Sequence, residues 1–228
     1  MKSRMPTEVF AAPPADAPRE LVLAFDAIEQ LCSAAHIHYG RMQAIARFMT
    51  DISLHDDETR PARETARAAI IADTGALVGT FQRLRLLTRR LPGDGAMRVT
   101  RKAFEATVRS LEPARHHLEH LDERIREIAP TGHAAFGSVS WWRRGEGRTI
   151  KWMAIVPGTL AVGKGQAVTR VPSRMRGDVD HFWVVLGATE FNVSDAYWAT
   201  VDLEKRLRAW SQDQQRDGWP ALRAWRYS

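Results

Sequence analysis

The stretch of the chain best equipped for chemistry is Arg115–Ile125, which reads RHHLEHLDERI. Imidazole exchanges protons near neutral pH, and a guanidinium group stabilises negative charge that develops on a phosphate. A helix turns by about 100° per residue, which separates an apolar stripe from a polar outer half. The stripe consists of Leu111, Ala114, Leu118, Leu121, Ile125 and Ile128. The outer half holds His116, Glu119, His120, Glu123 and Glu127, and the stripe is flanked by Arg115, His117 and Asp122.

One interpretation of this outer face requires no catalysis. Residues three or four apart on a helix are neighbours, so Arg115 with Glu119 and His120 with Glu123 form local ion pairs on a solvated surface. On this interpretation the chain is a non-catalytic oligomeric or partner-binding protein.

A second interpretation is a ribonuclease site. Arg115-His116, followed by three residues and His120, resembles the Arg-polar-x-His signature of the HEPN superfamily. Members of that superfamily are helical-bundle proteins, many of them metal-independent endoribonucleases of bacterial defence and toxin–antitoxin systems. The resemblance covers residues 19–129 as architecture and 115–120 as motif. A second match to the spacing, Arg176 with His181, falls in the predicted sheet region and lacks the bundle context.

The resemblance implies a role for each matching residue. Arg115 would hold the scissile phosphate, His120 would act as general acid or base on a ribose 2′-OH, and His116 would fill the polar position after the arginine. It also implies RNA as the partner, a homo-oligomer in which two copies of the motif meet, and a protein partner such as an antitoxin. No cofactor is expected.

A third interpretation is a metal site on the same helix. His116 and His120 are four residues apart on one face, with Glu123 or Glu119 beside them. Residues 116–120 also fit the H-x-x-E-H pattern of inverted zinc metallopeptidases, although that pattern needs a carboxylate from a following helix and a sheet is predicted to follow. Recruitment of His36 or His38 from the first helix would require the outer face to turn inward.

Basic side chains bracket the turn at Pro92–Gly95, where only Asp94 opposes them. They are Arg83, Arg85, Arg89, Arg90, Arg98, Arg101 and Lys102. Arginines at a helix C-terminus stabilise the helix dipole, and the alternative is a nucleic-acid-binding end of the bundle. The net charge of +6 permits such binding.

The helical period defines three long helices before residue 130. The first is predicted from 19 to 48, the second from Pro61 to Leu91, and the third from 96 to 128 with a kink or break at Pro113. The first buries Leu21, Phe25, Ile28, Cys32, Ala35, Tyr39, Met42 and Met49. The second buries Ala66, Ile70, Leu77, Phe81, Leu84 and Leu91, with Asp73 and Thr74 in or beside this seam.

All eight tryptophans follow residue 130, where the pattern changes to that of a sheet. We predict a hairpin from 136–143 and 148–156, strands at 166–171 and 181–191, and a helix from 195 to 212 capped by Ser194. The fold class is therefore α+β. The expected organisation is a flexible segment over 1–18, a helical bundle over 19–130, and a Trp-rich sheet with a C-terminal helix over 131–228 that packs on the bundle.

Composition excludes several classes. Hydrophobic residues make up 44% and charged residues 26%, which is typical of a folded domain and not of a disordered or collagen-like chain. We find no apolar run of membrane-spanning length and no secretory signal, and the single Cys32 excludes an internal disulfide. We therefore expect a cytoplasmic protein without a membrane partner.

Overall fold

The computed structural model describes residues 10–52, 57–91, 95–128, 135–145, 149–156, 168–186 and 189–219. The helices are α1 (Arg19–Asp51), α2 (Arg60–Thr88), α3 (Gly95–Arg109), α4 (Glu112–Glu119), α5 (Leu121–Ile128) and α6 (Val193–Arg216), with a short 3₁₀ turn at Asp57–Thr59 before α2. The strands are β1 (Ser138–Arg144), β2 (Ile150–Ile155), β3 (Val179–Leu186) and β4 (Thr189–Asn192). Every described strand follows residue 133, so the predicted α+β class is confirmed.

The long helices form a bundle around one apolar core. α1 packs most extensively against α2, and every residue predicted in the two seams is buried. Ala46, which occupies the position skipped between Met42 and Met49 in the predicted seam, is buried as well. α6 contacts α1, α2 and α3, so the C-terminal helix adds a fourth member to the bundle. None of the described helices combines the length and hydropathy required to cross a lipid bilayer.

The sheet has the order β2-β1-β3-β4, and all neighbouring strands are antiparallel. The predicted hairpin is confirmed as β1 and β2. Trp141 of β1 and Phe182 of β3 are fully buried, and the Phe182 ring meets that of Tyr39 edge-on at 5.5 Å between centroids. The Trp141 indole N–H donates to the Thr50 hydroxyl at 3.3 Å, which joins the sheet to the end of α1.

The strand predicted at 166–171 is wrong for residues 168–171, and residues 166–167 lie outside the described residues. Backbone carbonyls in this segment accept side-chain hydrogen bonds instead of ladder bonds. The Val168 carbonyl accepts from Ser140 Oγ at 3.1 Å and from Trp152 Nε1 at 2.8 Å. The Arg170 carbonyl accepts from Trp142 Nε1 at 3.0 Å. The segment thus satisfies the polar atoms of the sheet's tryptophans without extending the sheet.

The single strand predicted at 181–191 is the hairpin of β3 and β4, in which Val184 lies opposite Phe191. The predicted cap of the last helix is also corrected. Asn192 is the N-cap, because its side-chain oxygen accepts the Asp195 N–H at 3.1 Å. Ser194 is drawn into the core, where its hydroxyl accepts the Phe182 N–H and bonds to the Tyr39 hydroxyl, each at 2.8 Å.

Asp180 on β3 is the hub of the buried polar contacts, with an exposed fraction of 1%. Its Oδ1 accepts the Tyr39 hydroxyl at 2.9 Å, the Trp198 indole N–H at 3.2 Å and the His181 N–H at 2.8 Å. Its Oδ2 accepts the Arg176 N–H at 2.7 Å. One carboxylate therefore joins α1, α6 and the segment before β3.

Candidate active site

The helix predicted from 96 to 128 is broken at two places. Pro113 lies in the first turn of α4, where a missing N–H costs little, and the first break falls just before it. The second break is at His120, whose backbone angles (φ −120°, ψ 35°) end α4. The sequence predicts one kink or break, and the second break is missed because neither His120 nor Leu121 is a helix-breaking residue type.

α4 is anchored to α2 by its inner face. Leu111 and Ala114 are fully buried. Leu118 lies over Gly75 of α2, with its Cδ1 3.9 Å from where a Cβ at that position would be. The Arg85 guanidinium of α2 bonds to both Glu112 carboxylate oxygens at 3.2 and 3.3 Å. These contacts turn the opposite face of α4 to solvent.

Of the three residues matched to the HEPN signature, the structure brings His116 and His120 together on the outer face of α4. The His116 and His120 rings lie side by side, with centroids 4.5 Å apart and planes inclined by 50°. Arg115 Nε bonds to the two Glu119 carboxylate oxygens at 2.9 and 2.8 Å. His120 Nδ1 lies 3.6 Å from a Glu123 carboxylate oxygen. Both ion pairs expected of a solvated face are therefore present on the same surface as the motif.

Two neighbours of the motif differ from the helical-wheel prediction. His117, expected to flank the apolar stripe, is only 3% exposed and its Nε2 lies 3.0 Å from the Ala135 carbonyl oxygen. Ile125, expected in the stripe, is 52% exposed. The break at His120 explains the exposure of Ile125, because α5 no longer continues the helical phase of α4.

The arrangement on α4 contains the groups that proton transfer on a phosphodiester needs. Two imidazoles occupy one exposed face, where either can take or give a proton. The Arg115 guanidinium, at the edge of this face, can bind a phosphate when its ion pair with Glu119 opens.

The geometry of α4 and its neighbours does not support the metal site predicted from sequence. Within the part of the chain that the structure describes, no group of three or more His, Cys, Asp or Glu side chains is arranged to hold a metal ion. His116, His120 and Glu123 thus do not form the three-ligand site that their spacing suggested.

The basic residues around the α2–α3 turn divide into two sets. The Arg85 side chain is buried and donates hydrogen bonds to the Glu112 carboxylate. These bonds hold the pKa of Glu112 below its usual value. Arg89 pairs with Glu105, and Arg101 Nη1 donates to the carbonyls of Thr88 and Leu91 at 3.2 and 2.7 Å. These three therefore fasten α2 to α3 and α4. Arg83, Arg90, Arg98 and Lys102 are exposed.

The structure also places two histidines of α1 against carboxylates, which sequence spacing did not reveal. His38 Nδ1 lies 2.8 Å from buried Asp73 of α2. His36 bonds to the Tyr197 hydroxyl at 3.0 Å and to Glu204 of α6 at 2.6 Å. The first contact joins consecutive helices and the second joins segments 168 residues apart. The one signal in the sequence was the position of Asp73 in an apolar seam.

Two buried groups, the Cys32 thiol on α1 and the Glu204 carboxylate on α6, are not in a state suited to catalysis. Burial raises the pKa of the Cys32 thiol, which removes it as a nucleophile at neutral pH. Burial alone would raise the pKa of Glu204, but hydrogen bonds from His36 and Arg208 outweigh it and lower the pKa. Glu204 is therefore an ionised structural partner.

Comparison with known proteins finds no match to a family model, to a curated protein or to a solved structure. The functional argument therefore depends on the geometry of the chain's own residues.

Proposed function

We propose that the outer face of α4 binds RNA and cleaves it without a metal ion. The observation that supports this best is the pairing of the His116 and His120 rings on the outer face of α4. Arg115 precedes His116 in sequence and supplies the guanidinium. The proposal keeps the roles of Arg115 and His120 that the HEPN resemblance implies, and it adds a proton-transfer role for His116. It also keeps a bacterial defence or toxin–antitoxin setting, a homo-oligomer and a protein partner such as an antitoxin.

The reaction on this face is an internal transesterification. One imidazole takes the proton of the ribose 2′-OH, and the 2′-oxygen forms a bond to phosphorus while the bond from phosphorus to the 5′-oxygen breaks. The other imidazole gives its proton to the leaving 5′-oxygen, and Arg115 stabilises the charge on the phosphate oxygens. The products are a 2′,3′-cyclic phosphate and a 5′-hydroxyl.

The experiment that tests this function incubates the purified protein with a mixture of labelled RNAs in EDTA. We expect cleavage by the parent chain and none by the double variant His116→Ala/His120→Ala. Arg115→Ala should also cleave more slowly than the parent chain. Its matched control is Arg109→Ala, since Arg109 is an exposed arginine that also pairs with a glutamate four residues away. Cleavage that needs added metal, or that survives in the double variant, would reject the proposal.

Glu119 competes with RNA for Arg115, so Glu119→Ala is expected to strengthen RNA binding. Both side chains are about half exposed, and such pairs contribute at most about 1 kcal/mol. The gain in affinity should therefore be about two- to fivefold, measured by fluorescence anisotropy in a His120→Ala background that prevents cleavage. Glu127→Ala removes the same charge from neighbouring α5. An equal gain from both variants would show that only net charge matters.

Exposed cations at the α2–α3 end are expected to add phosphate contacts. Arg83→Ala, Arg98→Ala and Lys102→Ala should each reduce the slope of log affinity against log salt by about 1. Arg67→Ala, at the opposite end of α2, is the control because Arg67 is exposed and pairs only locally with Glu64. Unchanged slopes for all three variants would remove this surface from the RNA interface.

A second candidate function is favoured by the local ion pairs of α4, Arg115 with Glu119 and His120 with Glu123. Such pairs between residues three or four apart are common on a solvated helix face that has no catalytic role. On this alternative the ion pairs of α4 are ordinary surface contacts of an oligomeric, non-catalytic protein. The RNA assay separates the two, since the alternative predicts no cleavage by the parent chain.

A further inference from the structure

An open cleft of about 370 Å³ lies between α3 and α6. Its lining includes Phe104 and Thr107 of α3, Asp195, Trp198 and Asp202 of α6, and Arg176 from the segment before β3. None of the residues of the α4 face contributes to it. The volume is at the lower end of the range of about 300–1,000 Å³ that is typical of small-molecule sites.

The walls of the cleft are held in place by the buried carboxylate of Asp180. This carboxylate accepts the Trp198 indole N–H at 3.2 Å and the Arg176 backbone N–H at 2.7 Å. The Arg176 guanidinium lies over the Trp198 ring, 5.3 Å from its centroid. Phe104 is fully buried and forms an apolar floor. The cleft is thus formed before any ligand binds.

The charges of the cleft follow a pattern along α6. Asp195 and Asp202 are seven residues apart, which is two turns or about 10 Å along a helix, and Trp198 lies between them. Neither carboxylate has an ion pair within 4 Å among the described residues. Arg176 and Asp195 both line the cleft. The Arg176 guanidinium lies over the Trp198 ring, and Trp198 is three residues, or about one turn of α6, from Asp195.

We propose that this cleft binds a basic amino acid of the lysine or ornithine type. Such a ligand carries two cationic groups and one carboxylate, which complement the two carboxylates and one guanidinium of the cleft. Its α-carboxylate meets Arg176 and its α-ammonium meets Asp195. The methylene chain lies along Trp198 and Phe104, and the terminal ammonium reaches Asp202.

The test titrates the full chain with L-lysine, norleucine and cadaverine while its amide NMR resonances are followed. Norleucine lacks the terminal ammonium and cadaverine lacks the carboxylate. Each loses a charge-assisted hydrogen bond, so each should bind about tenfold or more weakly than lysine. Asp202→Asn should remove the preference for lysine over norleucine and leave norleucine binding unchanged. Asp213→Asn, on an exposed side chain near the end of α6, should leave the preference intact.

Three results would overturn the proposal. They are the absence of lysine binding at about 10 mM, which corresponds to a binding free energy weaker than about 3 kcal/mol, equal affinity for lysine and norleucine, and an unchanged preference in Asp202→Asn. Asp202 is exposed, so its variant is expected to fold, and a circular dichroism melt checks this. RNA cleavage does not enter the readout, which keeps the outcome separate from that of the α4 face.

Discussion

Replacing His120 with alanine is expected to lower the rate of RNA cleavage by about two to four orders of magnitude, the range that a positioned acid or base contributes. His116→Ala should have a loss of similar size, because the two adjacent rings supply the two proton transfers of one reaction. The measurement is the single-turnover rate of cleavage of a labelled RNA in EDTA. His120 is partly exposed, with 41% of its side chain accessible, so its loss should leave the fold intact.

His117→Ala separates packing from chemistry on the same helix. Its ring is buried against the Ala135 carbonyl, so we expect a loss of about 1–3 kcal/mol in the free energy of unfolding. The cleavage rate of the folded fraction should stay near that of the parent. A folded His120→Ala protein that cuts at the parent rate, or a catalytic loss confined to His117→Ala, would contradict the roles assigned here.

Asp180→Asn is expected to lower the free energy of unfolding by about 2–4 kcal/mol, because a buried carboxylate with several donors becomes a neutral amide. Four donors meet the two Asp180 oxygens. In asparagine one oxygen is replaced by an NH₂ group that faces a donor. Urea denaturation followed by circular dichroism measures the loss.

The same substitution should show a defined pH dependence. Burial alone would raise the pKa of Asp180, but hydrogen bonds from Arg176, His181, Trp198 and Tyr39 outweigh it and lower the pKa below its usual value. The contribution of the carboxylate is therefore fully present above the unfolded pKa and is lost as pH falls through the lower folded value. The difference between parent and Asp180→Asn should shrink in that acid range. Asp178→Asn, on a half-exposed side chain, is the control, and equal effects of the two variants would refute the role of Asp180.

The helical seams were predictable because burial of an α-helix repeats every three to four residues, and this period is local in sequence. Leu21, Tyr39, Ile70 and Phe81 all lie in the core where that period placed them. The period fails at Ile125, since the break at His120 shifts the phase and no residue type marks it.

The contacts that sequence could not show are those set by distant segments. Ser194 has the chemistry of an N-cap, but the Tyr39 hydroxyl and the Phe182 N–H occupy it, and Asn192 takes the cap. The carbonyl of Val168 is directed to tryptophan and serine side chains and not to a strand. The position of each of these groups depends on tertiary packing, which leaves no periodic signal.

On α4 too, contacts between residues close in sequence were predictable, and a contact with a distant segment was not. The neighbours Arg115–Glu119 and His116–His120 follow from helical spacing, and both are present. The burial of His117 could not be predicted because it depends on Ala135, which lies beyond the end of α5.

The central claim, that the α4 face cuts RNA through the ribose 2′-OH without a metal, is tested most directly with two labelled oligonucleotides in EDTA. One is an RNA that the parent chain cuts, and the other carries a 2′-deoxy sugar only at the cleaved position. The account predicts a 2′,3′-cyclic phosphate from the first, no cleavage of the second at that position, and loss of the product in His120→Ala. Cleavage of the 2′-deoxy strand at that position, or an undiminished cyclic product from His120→Ala, would contradict it.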